Sequence, residues 1–127
     1  MNNKNVLAID DSMTNNVLLE AVLNNNQYSM YTALDVHEAY RILNEVQIDL
    51  ILLDLIMPGI SGVEFLEEIK KHKNTKNIPV IIISAVTDEN IQNKVLNGGA
   101  AYFMDKPVNI KTLINKVDEL TSETILE

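Results

Sequence analysis

The stretch Leu50-Ile51-Leu52-Leu53-Asp54-Leu55-Ile56-Met57-Pro58-Gly59 runs from four consecutive aliphatic residues into a carboxylate and then into a Pro-Gly turn signal. A short strand that is apolar at every position is covered on both faces, as the central strands of a parallel sheet are. Val80-Ile81-Ile82-Ile83-Ser84 repeats the pattern, so these two segments are the expected core strands. Outward from them, Val6 to Ile9, Tyr28 to Ala33 and Tyr102 to Met104 are further strand candidates. Longer segments of helical period separate all of them. Strands alternating with helices predict an α/β fold, a parallel sheet with helices on both faces.

Val17, Leu18, Ala21 and Val22 recur at helical spacing, as do Ala39, Ile42, Leu43 and Val46, and each set is expected to form one buried stripe. Asp35 followed by Glu38, and Ser61 followed by Glu64, are capping-box pairs that place helix starts after the second and third strands. Gly62 falls just inside the later start. A fourth helix is expected from about Asp88 to Asn97, stopping at Gly98-Gly99 where positive φ is easily accommodated. Leu113, Ile114, Val117 and Leu120 mark a fifth.

With 127 residues and 46 % hydrophobic content, the chain suits one core. One domain is expected over residues 1–120, with 121–127 as a tail or the start of a linker. Lys and Arg total 10 against 18 Asp and Glu, a formal net charge of -8, which opposes a nonspecific grip on nucleic acid. The acidic balance suits a protein partner or a cation instead. Without cysteine the chain has no disulfides, thiolate zinc sites or thiol chemistry. The apolar run that follows Met1 to Asn5 ends at Asp10, shorter than a secretory signal, and the others break at Asp49, Asp54 or Ser84, short of a membrane span. The expectation is a cytoplasmic protein with no membrane contact and no direct nucleic-acid binding.

In an open α/β sheet, ligands bind beyond the carboxyl ends of the strands. The polar residues at those ends are Asp10 and Asp11, Asp54, Ser84 and Lys106, and parallel strands would bring them to one edge. Taken singly, Asp10-Asp11 reads as a turn and helix cap before Ser12, Ser84 as a strand terminus and Lys106 as a surface lysine. Asp54 is different, because a carboxylate ending a central strand is costly unless a cation or hydrogen bonds compensate it. Three carboxylates in one pocket repel one another unless a divalent cation stabilises them as anions, and oxygen-only ligands favour Mg2+. Lys106 and Ser84 would add a point charge and a hydroxyl for phosphate oxygens. Together these residues supply a nucleophile, a metal site and contacts for a phosphoryl group in transfer.

At this point the sequence resembles the receiver domains of two-component response regulators, from Val6 to about Leu120. The resemblance is carried by Val6-Leu7-Ala8-Ile9-Asp10-Asp11-Ser12, by Leu53-Asp54-Leu55-Ile56-Met57-Pro58-Gly59 with Gly62, and by Ile83-Ser84-Ala85. It ends with Gly99-Ala100-Ala101-Tyr102-Phe103-Met104-Asp105-Lys106-Pro107. It implies a flavodoxin-like (βα)5 fold, a doubly wound five-stranded parallel sheet of strand order 2-1-3-4-5. It further implies Asp54 as phosphoryl acceptor, and Asp10, Asp11, Asp54 and the Ile56 carbonyl as Mg2+ ligands. Lys106 would bind phosphate, and Ser84 and Phe103 would be the switch residues. Implied partners are a histidine kinase or histidine phosphotransfer protein, a downstream output domain or protein, and a phosphorylation-dependent second copy. Such a domain is no general enzyme. It catalyses only its own phosphorylation and slow dephosphorylation. Ile56 and Val86, which flank the path of water in the family, carry no polar side-chain group to orient one, so slow phosphate loss is expected.

Three rival readings remain. A degenerate receiver would fold alike and act by contact alone, but the full set Asp10, Asp11, Asp54, Ser84 and Lys106 argues against it. A haloacid dehalogenase-like enzyme would place its nucleophile on the first strand, with a second acid two residues on, where this chain has Ile56. A flavodoxin-like flavin site would want a Ser/Thr/Gly-rich loop where Asp10 and Asp11 stand.

Overall fold

A computed structural model describes residues 3–57, 59 and 61–122. Pro58 and residues 123–127, which include most of the expected tail, lie outside the described residues. The order of elements is β1 (Asn5–Ile9), α1 (Met13–Asn24), β2 (Ser29–Ala33), α2 (Val36–Glu45), β3 (Leu50–Leu53), α3 (Gly62–Lys71), β4 (Val80–Ser84), α4 (Glu89–Asn97), β5 (Tyr102–Asp105) and α5 (Ile110–Thr121). All four strand pairings are parallel, and the sheet runs β2-β1-β3-β4-β5. The expected class, order and strand positions are all found.

The continuous apolar runs divide by pleat. Leu50, Leu52, Ile81 and Ile83 pack with Leu19, Leu23, Leu113 and Val117 of α1 and α5. Ile51, Leu53, Val80 and Ile82 face the other way, against residues of α2, α3 and α4 that include Ala39, Ile42, Phe65 and Ile69. Each fully buried aliphatic side chain contributes about 1.5–3 kcal/mol of transfer free energy, so a two-sided sheet is favoured over an exposed one. Helix starts are set locally. Ser61 and Glu64 form a reciprocal capping box on α3, while Asp35 accepts the Glu38 N–H at 2.9 Å on α2. Gly99, at φ +114°, supplies the reversal that ends the α4 segment. The Lys106-Pro107 peptide bond is cis.

One expectation fails. The buried residues of α1 are Asn16, Leu19 and Leu23, whereas Val17 and Leu18 are 55 % and 54 % exposed and Ala21 is also exposed. Only Val22 of the anticipated stripe packs against the core, and it does so partly buried. Apolar residues occupy nearly the whole circumference of this helix, so the period fits more than one frame. The true frame places a polar residue, Asn16, inside. The stripes of α2 and α5 are as expected.

Tyr28, at the entry to β2, ties α5 to the sheet. Its hydroxyl donates to Asp118 and lies 3.1 Å from Thr121 Oγ1. Burial, reinforced by the hydrogen bond to Asp118, pushes its pKa up to about 12 from an ordinary 10. The folded state therefore holds this proton more tightly than the unfolded chain does. That contribution is complete below pH 10 and is lost as pH rises through 12. We expect the denaturant midpoint to fall between pH 10 and 12, and to fall less in Tyr28→Phe. At neutral pH the same substitution should cost about 1 kcal/mol.

Candidate functional site

Strand register builds the site. Ile9 pairs with Leu53, so the residues that follow, Asp10 and Asp54, leave the sheet side by side at its topological switch point. The Asp54 N–H donates to the Ile9 carbonyl at 3.0 Å, and the Asp10 N–H to the Ala33 carbonyl at 3.1 Å. Ser84 pairs with Asp105, and the Lys106 N–H donates to the Ser84 carbonyl at 3.1 Å. Asp10, Asp54 and Ser84 are buried, while Asp11 is exposed.

Lys106 binds both buried acids. Its Nζ stands 3.0 Å from Asp10 Oδ2 and 3.4 Å from Asp54 Oδ2. Asp10 is fastened from two further sides, since its Oδ1 accepts the Ser12 N–H at 2.9 Å and its Oδ2 accepts Asn15 Nδ2 at 3.2 Å. It is a turn residue and an ion-pair partner at once. Asp54 Oδ1 accepts the Ile56 N–H at 3.3 Å. Burial nevertheless holds the Asp54 pKa above the usual carboxylate value, with Asp10's charge adding to it, against the opposing pull of the Ile56 N–H and Lys106. For Lys106, burial pulls the pKa down, but the hydrogen bond to Asp10 and the two carboxylate charges outweigh it and the net direction is up.

Asp10, Asp11 and Asp54 each offer a carboxylate oxygen, all within 4.8 Å of one another. Three carboxylates against the one ammonium of Lys106 leave two formal negative charges. An all-oxygen donor set with that charge, in which Asp54's ionisation is disfavoured by burial, fits a hard divalent cation such as Mg2+. Ile56 has a 60 % exposed side chain, and Val86 is partly buried against the core. Ser84 Oγ accepts the Val86 N–H at 3.3 Å and makes no hydrogen bond to Asp54 or Lys106. Phe103 is half-buried against the layer of α2, α3 and α4. Beside the acids, a cavity of about 420 Å³ opens between α1 and the β5–α5 turn, walled by Leu18, Leu19, Leu52, Ile83, Val108 and Ile110.

Two features escaped the sequence. Asn15 and Asn16 both touch Asp10. A Cβ on Gly62 would stand 2.5 Å from the Asp54 carbonyl oxygen, so α3 begins where only glycine permits the approach. The capping box of α3 and Gly62 were visible as a pattern, and they locate the helix start without revealing what it touches.

A family model for the response regulator receiver domain matches residues 6–118. The chain belongs to that family. The receiver is 34 % identical over 116 residues to response regulator PleD of Caulobacter vibrioides, covering 91 % of this chain and 26 % of that protein. It is 32 % identical over 114 residues to the phosphate regulon transcriptional regulatory protein PhoB of Escherichia coli, covering 90 % and 50 %. It therefore spans a quarter to a half of these longer relatives. Among solved structures, chemotaxis protein CheY4 of Vibrio cholerae superimposes with a TM-score of 0.87 at 26 % identity, covering 94 % of this chain and 99 % of that one. The receiver domain of Francisella response regulator 1452 gives 0.86 at 29 % identity, covering 94 % and 97 %. Receivers are signalling modules that bind Mg2+ at an acidic pocket and interact with histidine kinases and output domains. No helix among the described residues is long and apolar enough to cross a membrane.

Gly62→Ala should displace either the Asp54 carbonyl or the start of α3. We expect a loss of about 1–3 kcal/mol in chemical unfolding, as for overpacked sites, with amide shifts centred on Asp54 and Leu55.

Proposed function

We propose that this receiver takes a phosphoryl group onto Asp54, from a histidine kinase or histidine phosphotransfer protein, in an Mg2+-dependent reaction. The single observation that carries the reading is the placement of Asp54. It is a buried strand-end carboxylate, ion-paired to Lys106 and clustered with Asp10 and Asp11. An Asp54 oxygen attacks the phosphorus of a phosphohistidine. A P–O bond forms and the P–N bond breaks, and the departing imidazole nitrogen keeps the electron pair and takes a proton. Lys106, already at the carboxylate, stabilises charge on the transferring oxygens. Asp10, Asp11, Asp54 and the Ile56 carbonyl would hold Mg2+, which supplies further neutralisation of phosphoryl charge. Slow loss of the phosphoryl group follows from the aliphatic Ile56 and Val86, neither of which can orient a water.

Signalling would then run through Ser84 and Phe103. The hydroxyl of Ser84 exchanges its Val86 N–H for the phosphoryl group, and Phe103 turns inward. The face of α4, β5 and α5 would change in consequence and engage an output domain, an output protein or a second copy. What supports this is the light anchoring of α4, in which Val95 is the one buried residue. A helix so lightly held is easily shifted between two states. Residues 1–120 are the proposed receiver unit and 121–127 a tail or linker start. The phosphorylation-independent reading is not favoured, since no residue of the acceptor set is missing.

Intact-mass measurement after incubation with a small phosphodonor and Mg2+ should show one added phosphoryl group on the parent and none on Asp54→Asn. Labelling of that variant would move the acceptor elsewhere. The phosphohistidine protein, unlike a small donor, must dock, and the exposed Leu18 of α1 and Ile110 line the cavity that also holds Asp10 and Asp54. Leu18→Glu should slow transfer from such a protein about tenfold. Labelling by the small donor should be unchanged.

A further inference from the structure

Four polar or charged residues are buried in the described structure: Asp10, Asp54, Ser84 and Asn16. The first three belong to the site. Asn16, on the first turns of α1, is 3 % exposed and was not anticipated. Its Nδ2 donates to the Asp10 carbonyl at 2.9 Å and to the Ala33 carbonyl at 3.2 Å. Those carbonyls sit just beyond β1 and at the end of β2, so one amide bolts the start of the acidic turn to the neighbouring strand. The orientation of the amide is fixed by chemistry. Reversed, its oxygen would face two carbonyl oxygens and its nitrogen would have no acceptor. The oxygen Oδ1 is buried without a hydrogen-bond partner, the single such side-chain atom among the described residues. An apolar side chain would avoid that penalty. What an apolar side chain could not do is hold the Asp10 backbone.

We propose that Asn16 is a positioning residue for the cation site. It acts through the Asp10 main chain, fixing the turn on which Asp10 and Asp11 are presented to Asp54. The proposal rests on the cation-binding reading given above. The side chain of Asp10 is separately fastened by Ser12, Asn15 and Lys106, so Asn16 restrains the backbone and those groups restrain the carboxylate. Partners that orient metal ligands without touching the metal typically change affinity by about 10–100-fold when removed.

The test compares the full chain with Asn16→Leu, which is close in size, and Asn16→Ala, which folds readily within a helix should leucine not fit. Mg2+ affinity is measured by amide-shift titration, the unfolding midpoint without metal, and amide hydrogen exchange of Asp11 and Ser12 without metal. We expect both variants to bind Mg2+ about tenfold more weakly and to exchange faster in the turn, with Asn16→Leu keeping the parent's unfolding midpoint. Equal weakening in the two identifies the lost N–H groups as the cause, because a packing role would spare leucine and penalise alanine. A leucine variant that binds Mg2+ like the parent and exchanges like it overturns the proposal. Should the parent itself show no Mg2+ response, the cation reading fails, and exchange in the metal-free turn still decides whether Asn16 positions it.

Discussion

The contact of Lys106 with both Asp10 and Asp54 is the constraint around which the site is arranged. Pairing β1 with β3 in the observed register forces two carboxylates out of adjacent strands into a buried position. At about 4 Å, two like charges repel by about 4 kcal/mol at an effective dielectric of 20. The Lys106 ammonium, 3.0 and 3.4 Å from the two, makes that register tolerable. It arrives from β5, two strands away from β3, and its backbone is fixed by the Ser84 carbonyl. Four of the five strands, from β1 across to β5, are therefore recruited to hold one charge arrangement, and the apolar layers on either side make the sheet rigid enough to do so.

The two layers are unequal in what they leave free. On one side α1 and α5 close over the sheet, yet α1 keeps Met13, Val17 and Leu18 in solvent, Leu18 lining the cavity beside the acids. On the other, α2 and α3 are well seated through Ile42, Phe65 and Ile69, and α4 has a single buried residue, Val95, with Ile91 partly buried beside it. Under the proposed transfer to Asp54, an exposed apolar helix face beside that residue suits the approach of a donor protein. A loosely seated helix further along suits a response. Both arise from the same circumstance, that the helices are not uniformly amphipathic.

Most of the fold was legible because β3 is apolar at every position and β4 at every position before Ser84, and no helical frame competes with that pattern over four or five residues. The strand-end residues followed from parallel strands alone. The frame of α1 was not legible, since Val17, Leu18, Leu19, Val22 and Leu23 fit several stripes and only packing selects among them. Asn16 was invisible for a related reason: a buried amide is identified by the carbonyls it meets, and those come from residues 6 positions before it and 17 after it. The sequence put Lys106 at this edge, and the family resemblance implied a phosphate-binding role for it. It did not show that the same ammonium pairs with two carboxylates.

Asp54's pKa is raised by burial, so its charged form is worse off in the folded protein than in the unfolded chain. A carboxylate with a raised folded pKa opposes folding at pH values above its unfolded pKa, and the penalty is relieved only by protonation or by a cation. Asn16 adds a second penalty through its unpartnered Oδ1. Both fall on residues that shape the acidic edge, and none falls on the sheet's interior. A pocket whose charges were already satisfied would gain little from a divalent cation. One left with two unbalanced negative charges gains from such a cation, and a site whose charge balance can change in this way supplies the free-energy difference a switch needs.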